Sequence, residues 1–242
     1  MEKKNNAIIK KVILIVCIVA FLVSSVFVAK YFIDKHNNGN IVDDLTGQSN
    51  ENPTEQVEKP DYSSYVDQNP ETVGWIKIPD TNINFPVVQT VDNEYYMTHN
   101  FESKKDKRGA IFMDYRNLPS DLDSNTIIYG HAAYYSDNVT YDGTVFSDLN
   151  KYEDLEFYKE HPVVEFNTLD SYYKWKIYAV FISNQGAQDD NGYIFNYIYP
   201  HNFEPENIKG YVAELNKRTL YFTGVDIQEG DKFLTLQTCN RS

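Results

Sequence analysis

Eighteen consecutive residues without a charge, Val12 to Ala29, divide this chain more sharply than any other feature. A run of that length is just enough to cross ~30 Å of hydrocarbon as a helix. It exceeds the ~7–15-residue apolar core of a secretory signal, and no small-x-small cleavage site follows it, so it reads as an uncleaved anchor. Lys3, Lys4, Lys10 and Lys11 precede it and stay in the cytoplasm under the positive-inside rule, which places everything after Lys30 outside. Residues 1–33 thus read as a cytoplasmic tail with a single transmembrane anchor in the cell membrane. Residues 34–60 are polar and poor in large apolar side chains, and read as a flexible extracellular stalk. The remainder, 61–242, is of the size of one folded domain.

Charge narrows the function classes. The chain carries −13 in total and its first 29 residues carry +3, which leaves −16 on the exported part. So acidic a domain is a poor partner for nucleic acid and is repelled by an anionic membrane surface, and simple solubility accounts for the excess. Acidic pairs such as Asp43-Asp44 and Asp189-Asp190 read as solvated loops. No ligand spacing among the histidines and carboxylates implies a metal, and no Gly-rich loop implies a phosphate cofactor.

Twenty tyrosines and the spacing of apolar runs point to a well-packed, mainly β domain with accessory helices. Strands are expected at Val73–Ile78, Ile83–Gln89, Gly109–Asp114, Asn125–His131, Val163–Phe166, Tyr172–Ile182 and Lys232–Thr238. Pro86 confines the second of these to an edge or a bulge. Short helices are expected at Asp61–Gln68, Thr144–Lys151 and Glu153–Glu160, and a longer one at Pro205–Lys217, where Ile208, Val212 and Leu215 recur at helical spacing. Many strands with scattered helices suggest an antiparallel barrel or sandwich.

Two cysteines are present, and Cys17 lies in the apolar run, so Cys239 has no partner for a disulfide. An exported thiol without a partner calls for an explanation, and nucleophilic catalysis is one; a small buried apolar side chain is the other. Alternation along the last strand puts Phe233, Thr235, Gln237 and Cys239 on one face and Leu234, Leu236 and Thr238 on the other. A thiol attacks as its thiolate and needs an imidazole within reach. Of five histidines, His36 lies in the stalk, His99 in a loop, His161 before a proline and His201 in a Pro-His-Asn turn. His131 differs: it ends a strongly apolar strand immediately after Gly130, where a ligand can approach closely. A hydrogen-bonded structural histidine is the alternative reading.

The stretch from Val73 to Cys239 resembles a class B sortase, a membrane-anchored cysteine transpeptidase of Gram-positive bacteria. Gly74-Trp-Ile-Lys-Ile-Pro79, Phe85-Pro-Val-Val-Gln89, Asp92-Asn-Glu-Tyr-Tyr96, Gly109-Ala-Ile-Phe-Met-Asp114, Ile127-Ile-Tyr-Gly-His131, Gly143-Thr-Val-Phe-Ser-Asp-Leu149 and Leu234-Thr-Leu-Gln-Thr-Cys239 are similar to its successive blocks, in the same order. The resemblance implies a sortase-type β-barrel, with His131 and Cys239 matching the catalytic pair and 205–217 matching an inserted helix. It implies cleavage of an Asn-Pro-x-Thr-type sorting motif in exported proteins through a thioacyl-enzyme, transfer to a peptidoglycan-precursor amine, and no cofactor or metal.

Two departures accompany the resemblance. Gln237 stands where the family usually has a small hydroxyl residue. In the family a further strand with an arginine follows the cysteine, whereas only Asn240, Arg241 and Ser242 follow Cys239, and Arg241 does not match that arginine. The expectation is a truncated product whose barrel is incomplete at its last strand. A catalytically impaired surface domain that binds sorting peptides without turnover is the alternative to an active enzyme. A papain-like peptidase is disfavoured, because there the cysteine precedes the histidine.

Overall fold

Alternate side chains of Thr72–Lys77 (β1) are buried, so this segment forms a strand with one face against a core. β1 belongs to a computed structural model that describes residues 10–11, 13–30, 32–33, 61–135, 140–183, 195–198 and 205–239. The first described helix, α1 (Ile13–Lys30), is long and apolar enough to cross a membrane, and its large side chains are exposed. The expected stalk lies outside the described residues.

After α2 (Ser63–Gln68) and β1 the chain forms β2 (Asn84–Val88), β3 (Phe112–Met113), β4 (Asn125–Tyr129), β5 (Ala132–Tyr135), β6 (Thr140–Val145), α3 (Leu155–Glu160), β7 (Val163–Thr168), β8 (Lys174–Lys176), α4 (Pro205–Arg218) and β9 (Phe233–Gln237). Asp154 caps α3 by accepting from the backbone N–H of Glu156, whereas the expected cap of α2, Asp61, lies one residue outside the N-cap Tyr62 and accepts from the N–H of Ser63. Seven strands hydrogen-bond in the order β8-β7-β1-β2-β3-β4-β9, and β5 and β6 form a separate hairpin.

The sheet is mixed rather than antiparallel, since β2 pairs with β3 in parallel and β4 pairs with β9 in parallel. Pro86 lies in an interior strand, but β3 meets β2 only at Val88, so the proline's missing donor interrupts no ladder on that side. The run expected as one helix at 144–151 divides into the end of β6 and a 3-10 turn over Ser147–Glu153. Of the strand expected at Tyr172–Ile182, only Lys174–Lys176 is paired.

The main core packs Ile76, Val87, Met113, Ile128, Phe146 and Phe166 inside the curved sheet, and Leu234 and Leu236 of β9 join it. A second cluster, Phe195, Tyr197, Tyr211, Leu215 and Phe233, packs α4 against the opposite face of β9. β9 is thus held by apolar side chains on both faces, each worth roughly 1.5–3 kcal/mol when fully buried. Among the described residues its backbone pairs on one side, with β4. Between the sheet's two ends, β8 with the segment that continues it to Ser183 and β9, runs a cleft of about 800 Å³. The barrel is therefore nearly closed, with a seam along β9.

Candidate active site

Parallel pairing of β4 and β9 is what positions the site. Ile127 faces Thr235 and Tyr129 faces Gln237, and beyond the last pair the N–H of Gly130 donates to the carbonyl of Gln237 at 3.1 Å. In a parallel ladder, paired residues point to the same face and strands lie about 4.8 Å apart. His131 and Cys239 each lie two positions past the pair Tyr129–Gln237, at the same end of the two paired strands. These are the two residues singled out by sequence. Cys239 is exposed and in no disulfide, and His131 is half-buried.

The imidazole is held from two sides. Nε2–H of His131 donates to the Met97 carbonyl at 3.0 Å, and a Cβ on Gly109 would lie 3.2 Å from the ring's Cδ2. Gly130, just before it, has no room for a side chain: a Cβ there would meet Ile111 Cδ1 at 2.4 Å and the Phe146 ring at 2.8 Å. Gly130→Ala is expected to cost about 1–3 kcal/mol by overpacking and to shift His131. Unchanged thermal melting of the variant would contradict this.

Behind the histidine, on the same face of β4, Asp114 is wholly buried. Burial by itself raises its pKa, but bonds from the Arg116 guanidinium, the Arg116 N–H, Asn93 and the Tyr129 hydroxyl outweigh it and hold the carboxyl at about 2. Burial, then the neighbouring Asp114 charge, raises the Tyr129 hydroxyl well above its usual range, so it remains a donor at 2.9 Å from Asp114. Gln89 ties the same loop by donating to the carbonyls of Asp114 and Asn117, each at 2.8 Å. This network supports the strand that delivers His131.

The other histidines have local roles. The His99 ring stacks on Tyr95 with centroids 4.2 Å apart, and His161 donates through Nδ1 to the Pro79 carbonyl at 3.0 Å while terminating α3. His36, His201 and Arg241 lie outside the described residues. Among the described residues no group of three His, Cys, Asp or Glu side chains is placed to hold a metal. The side chain of Gln237, the departure noted in sequence, has its Oε1 buried without a hydrogen bond, as does Thr238 Oγ1. Both line the cleft, with Trp175 across from them.

Sequence reasoning missed Asn150. Its side chain, 8 % exposed, donates toward the carbonyl of Cys239 at 3.4 Å and that of Ser147 at 3.5 Å. Nothing in local spacing signals a contact across 89 residues.

A family model for the sortase domain matches residues 76–242. The chain is 36 % identical over 172 residues to sortase B of Listeria monocytogenes, covering 71 % of this chain and 64 % of the relative, so it spans under two thirds of that relative's length. It is 30 % identical over 181 residues to sortase B of Staphylococcus aureus, covering 75 % of this chain and 68 % of that one. Among solved structures, a Bacillus anthracis protein similar to sortase B superposes with a TM-score of 0.64 at 31 % identity, over 74 % of this chain and 77 % of the other. With the nearly closed mixed barrel and both named residues at one end of it, these matches establish that the chain belongs to the sortase family, with sortase B proteins as its named relatives.

Proposed function

We propose that this chain is a cysteine transpeptidase of the sortase B type. Anchored by α1 with its N-terminus cytoplasmic, it acts outside the cell membrane on exported proteins that carry an Asn-Pro-x-Thr-type sorting signal. The observation that supports this reading is the parallel β4–β9 register, whose last pair, Tyr129 and Gln237, lies two residues before His131 and two before Cys239. The apolar helix ahead of the domain supports the anchor.

The chemistry follows from the two side chains. The Cys239 sulfur attacks the carbonyl carbon of the motif's threonine, and its electron pair forms the C–S bond while the carbonyl becomes an oxyanion. As the oxyanion collapses, the C–N bond breaks and the departing amine takes a proton from the imidazolium of His131. With Nε2–H committed to Met97, Nδ1 is the ring nitrogen left for that transfer. A peptidoglycan-precursor amine then attacks the thioester, returns a proton to His131 and releases the sulfur.

The test uses the full chain in detergent, a peptide containing Asn-Pro-x-Thr, and hydroxylamine as acceptor. Peptide hydroxamate is expected from the wild type and is expected to be lost in Cys239→Ala. If the wild type binds the peptide yet yields none, the protein is a peptide-binding surface domain and the transferase reading fails.

A further inference from the structure

One short turn touches the backbone of both site residues. At its start, the N–H of Phe146 donates to the carbonyl of His131 at 2.9 Å, and the Phe146 ring fills the space over Gly130. At its end, the Asn150 amide reaches the carbonyl of Cys239. Between them Leu149 N–H closes the turn onto the Phe146 carbonyl at 3.0 Å. Asp148, 1 % exposed, is turned away from the site: it accepts from the Asn82 backbone and side chain at 3.0 and 3.2 Å and pairs with Lys151 at 2.9 Å. The chain enters this turn through Val145 with φ +48, a left-handed conformation that a β-branched residue adopts only under constraint.

We infer that the turn 145–150 is a clasp that sets the spacing of His131 and Cys239, and that Asn150 is the positioning residue for the nucleophile. This rests on the reading of Cys239 as the attacking group. Among the described residues β9 pairs along one edge, with β4, and that ladder stops at Gln237, two residues short of Cys239. Past that point the Asn150 amide reaches back to the Cys239 carbonyl at 3.4 Å. At 3.4 and 3.5 Å its two contacts are longer than the usual 2.9–3.0 Å. Because the amide donates to backbone carbonyls, its loss frees the last residues of the chain segment without removing any group that touches substrate.

The experiment measures the rate at which iodoacetamide alkylates Cys239, followed on its own peptide by mass spectrometry so that Cys17 does not interfere, from pH 5 to 9. In Asn150→Ala the rate at neutral pH is expected to fall about tenfold and the profile to move to higher pH, because the thiol leaves the imidazole that assists its ionisation. In the hydroxylamine assay kcat is expected to fall about 10–100-fold with KM within threefold. Asn150→Asp keeps the shape without the N–H donor and is expected to lose as much, whereas Asn150→Gln, which keeps the donor, is expected to recover part of the rate. Should Asn150→Ala fail to fold, the isosteric Asn150→Asp decides. An alkylation profile in Asn150→Asp that matches wild type overturns the clasp. A wild type that makes no hydroxamate, but whose thiol still responds to Asn150, overturns the transpeptidase reading and leaves the clasp standing.

Discussion

Replacing His131 with alanine is expected to slow acyl-enzyme formation by about 10²–10⁴-fold, the usual span for removing a general acid–base group. The ring lies two residues past β4 and, among the described residues, its polar contact is to the Met97 carbonyl, so the fold is expected to survive with only a small change in melting temperature. Peptide binding should be nearly unaffected, because the loss falls on the step in which the amine departs. The measurement is the single-turnover rate of hydroxamate formation beside a thermal melt of the same preparation. A variant that retains a tenth or more of the wild-type rate would remove His131 from the chemistry, and the site would then have to be rebuilt around a different proton donor.

The second large effect concerns stability. Asp114 is buried and accepts from Arg116, Asn93 and Tyr129, with its carboxyl held at about 2 against an ordinary 3.8. That depression corresponds to about 2 kcal/mol of folding free energy. The folded pKa is the lower one, so the contribution is complete above about pH 4 and disappears as pH falls through about 2. Asp114→Asn also leaves Arg116, whose guanidinium lies 2.7 Å from the carboxylate, without its counter-charge. A total loss of about 2–4 kcal/mol at neutral pH is expected, near the lower end of the cost of breaking a buried pair because Arg116 is partly exposed. For a domain of this size that is a fall of roughly 5–12 °C in melting temperature. The gap between wild type and variant should close below pH 4, and a neutral-pH melt within 2 °C of wild type would show that the network is not holding β4.

Several of these features were legible in the chain itself. Alternation in Phe233–Gln237 assigned the faces of the last strand, and Leu234 and Leu236 do pack into the main core while Phe233 joins the second cluster. The position of His131 after Gly130, at the end of an apolar run, marked a strand end, and β4 ends there. Strand partnership was not legible, because periodicity reports which side of a strand is apolar and says nothing about its neighbour or direction. Hence the parallel β4–β9 pairing, on which the site depends, emerged only from the structure. The segment after Lys176 has the composition of a strand, yet Tyr178 and Phe181 pack on the cluster around α4. The hairpin of β5 and β6 was missed because its residues carry neither a long apolar run nor clean alternation.

The seam along β9 bears on how Cys239 is kept in place. Among the described residues β9 is bonded through one ladder, to β4, so the apolar packing of Leu234 and Leu236 on one face and Phe233 on the other carries much of what holds the strand against local opening.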